Sequence, residues 1–194
     1  MRLFVALEIS TEVRERIGQM ISQWKRLEPA PRWVSAENLH VTLKFIGEAQ
    51  PSALPAIQEA LAGIREQDPV DLEFCGAGFF PGTRRPAVLW IGVRSSPNLA
   101  PLAQRIDNAL AAATGVAAET RAFLPHLTIA RFKEPRLAPA LSARLAAFGN
   151  KSLGSFSVRH FQLVESKLRP GGAEYTTVRS FPFVSGHPPQ GNFS

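Results

Sequence analysis

Histidine and threonine two residues apart occur twice in this chain, at His40 and Thr42 and again at His126 and Thr128. An imidazole titrates near neutral pH, so it can take or give a proton, and two of them can do both in one displacement. A hydroxyl beside each ring offers a donor to an anionic oxygen. Phosphodiester hydrolysis needs this set: one group deprotonates the attacking oxygen, one protonates the leaving oxygen, and donors hold the non-bridging oxygens. Metal binding is the other use of a histidine pair, but zinc sites take three or four protein ligands. Neither motif carries a carboxylate two or four residues from its histidine, and Cys75 is the only cysteine. No metal and no other cofactor is expected.

The elements that hold these residues are legible from period and punctuation. In Asn38-Leu39-His40-Val41-Thr42-Leu43-Lys44-Phe45-Ile46-Gly47, strand alternation puts His40 and Thr42 on one face. It puts Val41, Leu43 and Phe45 on the other, core-facing side. His126 and Thr128 share a face of Leu124-Pro125-His126-Leu127-Thr128-Ile129-Ala130-Arg131 in the same way.

The two motifs lie 86 residues apart, and the same offset carries Leu3-Phe4-Val5-Ala6-Leu7 onto Leu89-Trp90-Ile91-Gly92-Val93, each apolar run starting 37 residues before its histidine. A duplication carries its flanks along, so the chain reads as two copies of one unit. Equivalent histidines then face each other if the lobes pack about a pseudo-twofold axis.

Between run and motif each unit has a helix. Ser10 or Thr11 caps the first, with Val13, Ile17, Met20, Ile21 and Trp24 as its apolar stripe and Pro29 and Pro31 beyond its end. Ser96 and Pro97 open the second, with Leu99, Leu102, Ile106 and Leu110, and Thr114-Gly115 closes it. Further elements are a helix from Ser52 to Glu66, a strand from Val70 to Phe80 turned by residues 81–86 into the run ending at Val93, and a helix from Ala138 to Phe148. A strand from Phe156 to Val164 and a closing strand from Glu174 to Val184 complete the fold. The Gly- and Pro-containing tail, 185–194, is expected to be disordered.

Composition narrows the class. With 45% hydrophobic residues over 194 positions the chain can bury a core. Its net charge of +6, with 17 Arg against 5 Lys, favours a polyanionic partner met by bidentate guanidinium contacts. The exposed-looking pair Arg84 and Arg85 is one candidate contact. Cys75 sits among apolar residues and reads as a buried small side chain. The apolar run at the N-terminus is too short for a signal peptide and no stretch is long enough to span a membrane, so a cytoplasmic protein is expected.

Together the motif strand Asn38 to Gly47, the segment Pro125 to Arg131 and the N-terminal Arg2-Leu3-Phe4-Val5-Ala6-Leu7 resemble the two-histidine (2H) phosphoesterase superfamily. Within it the match is nearest to the RNA 2′,3′-cyclic phosphodiesterases, also called 2′-5′ RNA ligases. The resemblance covers residues 1–184 and implies an α+β, bilobal, duplicated fold, with two mainly antiparallel sheets facing a central cleft and helices outside.

It further implies that His40 donates a proton to the departing 3′ oxygen, that His126 accepts one from water, and that the product is a 2′-phosphomonoester. Thr42, Thr128 and Arg131 would bind phosphate. Strict alternation points Arg131 away from His126, so a bulge or the strand's end must turn it. Implied partners are RNA with 2′,3′-cyclic phosphate ends, tRNA fragments among them, acted on by a monomer. Related members also join tRNA halves through 2′-5′ linkages without ATP, or cleave 2′-5′ oligoadenylates. A phosphodiesterase for another cyclic nucleotide and an RNA-binding module remain the alternatives.

Overall fold

The computed structural model describes residues 1–64, 67–170 and 172–184. In chain order the elements are β1 (Arg2–Glu8), α1 (Thr11–Leu27), β2 (Arg32–Trp33), β3 (His40–Glu48), α2 (Leu54–Ala62), β4 (Val70–Phe80), β5 (Val88–Ser95), α3 (Leu99–Thr114), β6 (His126–Arg131), α4 (Pro139–Phe148), β7 (Ser152–Val158), β8 (His160–Arg169) and β9 (Gly172–Pro182). The Ser10 hydroxyl caps α1 by accepting from the Val13 N–H at 3.3 Å, and Lys25 and Arg26 complement the dipole at its other end. Gly115 ends α3 in the left-handed region, φ 70°, where a side chain would be strained. The helix expected from Ser52 stops at Ala62; Arg65 and Glu66, where it was to end, fall outside the described residues, as does the tail 185–194. The expected strand Phe156 to Val164 is two strands, β7 and β8, parted at Arg159.

The strands run β7-β4-β5-β6-β3-β1-β8-β9, with β2 added alongside β6, and every pairing among the described residues is antiparallel. The α+β architecture expected from the sequence is present, with one refinement. The two four-stranded halves meet edge to edge where Val41 pairs with Leu127, which joins them into one curled sheet. Those residues are 86 apart, so each pairs with its own equivalent, as a residue next to a twofold axis must.

The halves do not coincide with the two sequence units. The last strand of the first unit, β4, lies against β5, and the β8 strand of the second lies against β1. Each unit therefore completes the other's sheet.

One layer of core lies between the sheet and the helices. It takes the stripe of α1 (Val13, Ile17, Met20, Ile21, Trp24), the stripe of α3, and the alternate strand residues Leu3, Val5, Leu7, Val41, Leu43, Leu127 and Ile129. Cys75 is buried, as its neighbours suggested. β1 is buried on both faces, which is why it reads as an unbroken apolar run. Phe4 and Ala6, on the side away from the helices, pack with Val164 and Tyr175.

Two equivalent bulges break the alternation of the motif strands. Opposite β3 the register runs Ala6 to Thr42 and then Val5 to Lys44, which leaves Leu43 as the extra residue. Opposite β6 it runs Trp90 to Thr128 and then Leu89 to Ala130, which leaves Ile129 extra. Leu43 and Ile129 are again 86 apart. A bulge puts two successive side chains on the same side and inverts everything after it.

Phe45, expected in the core, is accordingly turned out and 57% exposed. Lys44 takes the helix side instead, where it forms an ion pair with Asp107 of α3; the two side chains are 13% and 7% exposed. Asp107 also accepts from the Glu119 N–H at 2.7 Å, tying the segment before His126 to the same helix.

Candidate functional site

β3 begins at His40 and β6 begins at His126, so each imidazole stands at the mouth of its strand. Each ring is held in the same way. Nδ1 of His40 lies 2.7 Å from the carbonyl oxygen of Asn38, and Nδ1 of His126 lies 2.8 Å from that of Leu124. A carbonyl oxygen only accepts, so Nδ1 must carry the proton, and Nε2 is left as the atom that can exchange one. Asn38 is itself anchored, its Nδ2 donating to the Ala173 carbonyl of β9 at 2.7 Å.

From the bridge at Val41 and Leu127 the antiparallel register, continued one step each way, sets His40 across from Thr128 and Thr42 across from His126. The four side chains leave the sheet on the face opposite the core. There they line a single cavity of about 740 Å³ together with Arg131. The sequence asked for a bulge or a strand end to bring Arg131 to this face, and the bulge at Ile129 does so. All five residues selected from the sequence are brought together; Arg84 and Arg85 are exposed in the turn after β4 and do not line the cavity.

Aromatic rings enclose the imidazoles. His40 sits 4.7 Å from Phe4 and 5.2 Å, edge on, from Tyr175, and His126 lies 4.9 Å from Phe80 in the same edge-on geometry. The apolar walls decide the charge of His40. Burial pulls its pKa down from 6.5 to about 4; the Asn38 carbonyl opposes this, and the neighbouring Arg131 guanidinium and His126 ring add to it. His40 is therefore neutral at pH 7 in the free protein. Tyr175 is raised by burial, with Arg131 and Arg2 opposing.

The sequence reading missed Tyr175, Phe4, Asn38, Arg2 and Arg32, all of which line the cavity. Only Asn38 and Arg32 lie close enough to a motif to have been found by scanning its flanks. Tyr175 comes from β9, far along the chain, and nothing local marks it. Of the other two histidines, His160 is not in the cavity lining and lies 3.7 Å from Glu8, the last residue of β1, and His187 is outside the described residues.

The equivalent bulges give the cleft its asymmetry. Phe45 and Arg131 are 86 apart and both reach the cavity, one with a ring and one with a guanidinium. Phe45 and Leu168, 57% and 69% exposed, both line the cavity, and an exposed ring there can take the face of a base. A cleft with two imidazoles, two hydroxyls and an arginine can take an anionic phosphodiester and move protons on both sides of it.

Comparison with known proteins agrees with this fold. An RNA 2′,3′-cyclic phosphodiesterase of Archaeoglobus fulgidus is 34% identical over 93% of this chain and 99% of its own. A crystal structure from Thermus thermophilus superposes with a TM-score of 0.79 at 26% identity, covering 96% of this chain and 100% of that one. Escherichia coli LigT complexed with 3′-AMP superposes with a TM-score of 0.72 at 29% identity, covering 95% and 98%. The family model described as the 2′-5′ RNA ligase superfamily matches residues 10–169, and with both motifs inside that span the chain belongs to this superfamily.

Proposed function

We propose that the protein is a cytoplasmic, monomeric enzyme that opens 2′,3′-cyclic phosphate ends of RNA, including tRNA fragments, to 2′-phosphomonoesters. The observation that carries this is the meeting of the two motif strands at Val41 and Leu127, with both His-Thr pairs on one cavity wall. Nε2 of His126 accepts a proton from water as the water oxygen attacks phosphorus. The bond from phosphorus to the 3′ oxygen breaks opposite the attack, and that oxygen takes a proton from Nε2 of His40. Thr42, Thr128 and Arg131 hold the non-bridging oxygens, where negative charge grows. A 5′ hydroxyl in place of water would give a 2′-5′ linkage by the same proton transfers, with no need of ATP. The names of the relatives support the substrate class.

Phosphorus NMR of a cyclic-phosphate-ended oligonucleotide, with EDTA present, tests this reading. A 2′-phosphate is expected, whereas a 3′-phosphate would reverse the assigned leaving oxygen. If cellular function survives replacement of both histidines, the protein is an RNA-binding module instead.

His40 can act as the acid only if substrate changes its charge. An anionic phosphate beside the ring favours imidazolium and offsets Arg131, so its pKa must rise from about 4 on binding. Histidine proton resonances titrated with and without a 2′-phosphate product should show His40 moving up by at least ~1 unit, each unit being about 1.4 kcal/mol of preference for the charged ring. A value that stays or falls on binding would exclude His40 as the acid.

A further inference from the structure

Arg32 and Arg131 stand directly opposite each other on β2 and β6. Directly opposed residues of an antiparallel pair project from the same face with Cβ atoms about 5 Å apart, and like charges placed so repel. Both side chains are exposed, both line the cleft, and neither has a carboxylate within ion-pair distance among the described residues. Arg169, also at this rim, differs, being paired with Glu174 at 2.9 Å, and Arg2 stands across the β1–β3 register from a carboxylate, Glu48, whereas Arg32 and Arg131 stand across from each other. An uncompensated cationic pair in a cleft is relieved by anions.

In the reaction proposed above, the non-bridging oxygens of the cyclic phosphate are already held by Thr42, Thr128 and Arg131, which leaves Arg32 free. The next anion along an RNA end is the phosphate that joins the terminal nucleotide to the rest of the chain. Two long side chains rooted on neighbouring strands can part to serve adjacent phosphates, as they track a backbone in other single-strand grooves. We propose that Arg32 is the subsite for this second phosphate, so that the cleft prefers the end of an RNA chain to a free cyclic mononucleotide. The inference rests on the phosphodiesterase reading and extends it.

The test separates binding from turnover. A dinucleotide ended by a 2′-phosphate, and the same molecule with a neutral methylphosphonate at its internal linkage, are titrated against the wild-type protein and Arg32→Gln by fluorescence anisotropy. Neutralising the linkage should weaken binding to the wild type on the order of tenfold, the worth of one charge-assisted hydrogen bond at an open site. Arg32→Gln should bind the charged ligand weakly by the same factor and no longer distinguish the two.

The dependence of log affinity on log salt should also be shallower by about 0.7 in that variant, one released counterion on a single strand. Arg32→Lys, which keeps the charge and loses the fork, should fall between. The proposal is overturned if the wild type does not distinguish the ligands, if the variant still does, or if Arg32→Gln weakens a 2′-phosphate mononucleotide as much as the dinucleotide. Turnover of a cyclic mononucleotide by the wild-type protein tests the reaction separately, so the subsite and the chemistry can each fail alone.

Discussion

His126→Ala should lower turnover of a cyclic-phosphate-ended RNA by ~10²–10⁴-fold, the usual worth of a positioned general base. His40→Ala should lose a similar factor. The double variant should lose less than the product of the two, because a base without its acid leaves half of one displacement undone. The loss itself does not say which ring donates. A substrate with sulfur in place of the bridging 3′ oxygen does, since a thiolate departs without a proton. His40→Ala should then recover most of the rate on the sulfur substrate while His126→Ala stays slow. Rescue of His126→Ala in its place would exchange the two roles, and full activity of either variant on the natural ester would remove that residue from the mechanism.

Asp107→Ala is expected to destabilise the protein by about 3 kcal/mol, since removing one partner of a buried ion pair leaves the other charge uncompensated. Lys44 is only 13% exposed, so its ammonium would be left largely desolvated without a partner. Loss of the Asp107 carboxylate also frees the Glu119 N–H. The combination Lys44→Met with Asp107→Leu should recover most of the loss, because it replaces the pair by apolar groups of similar size. Urea unfolding measures both, and a shift in midpoint at constant slope identifies a change in stability alone. A loss below about 1 kcal/mol for Asp107→Ala would show that the ammonium finds solvent.

This pair also shows where reading the sequence reached its limit. Period and spacing located β1, α1, α3, the motif strands and the two His-Thr pairs of the cavity, because these depend on local alternation and on a repeat that can be counted; Arg131 came from the family resemblance. Alternation failed at Phe45 and Lys44, where the register with β1 skips Leu43. A bulge is a property of two strands, and one strand's sequence does not announce it. Arg131 gave a hint only because a function had been imputed to it and its face was wrong. Tyr175 and Arg32 enter the site through the pairing of β9 and β2 with distant strands. The repeat likewise said which segments are alike and left open which would lie side by side, so the crossing of β4 and β8 into opposite halves was invisible.

That crossing has a consequence for how the chain is made. β1 leaves the ribosome ahead of every other strand described, is apolar on both faces, and has Arg2 pairing with Ser166 of β8. Its sheet position therefore stays open until most of the chain has been synthesised. A fragment ending at the β4–β5 turn carries β4 without the strands on either side of it, so neither half of the duplication can close alone. Folding must be late and all at once, dominated by contacts distant in sequence and slow for its size. Two fragments split at that turn should be unfolded apart and assemble only when mixed, so the duplicated unit is not a unit of folding.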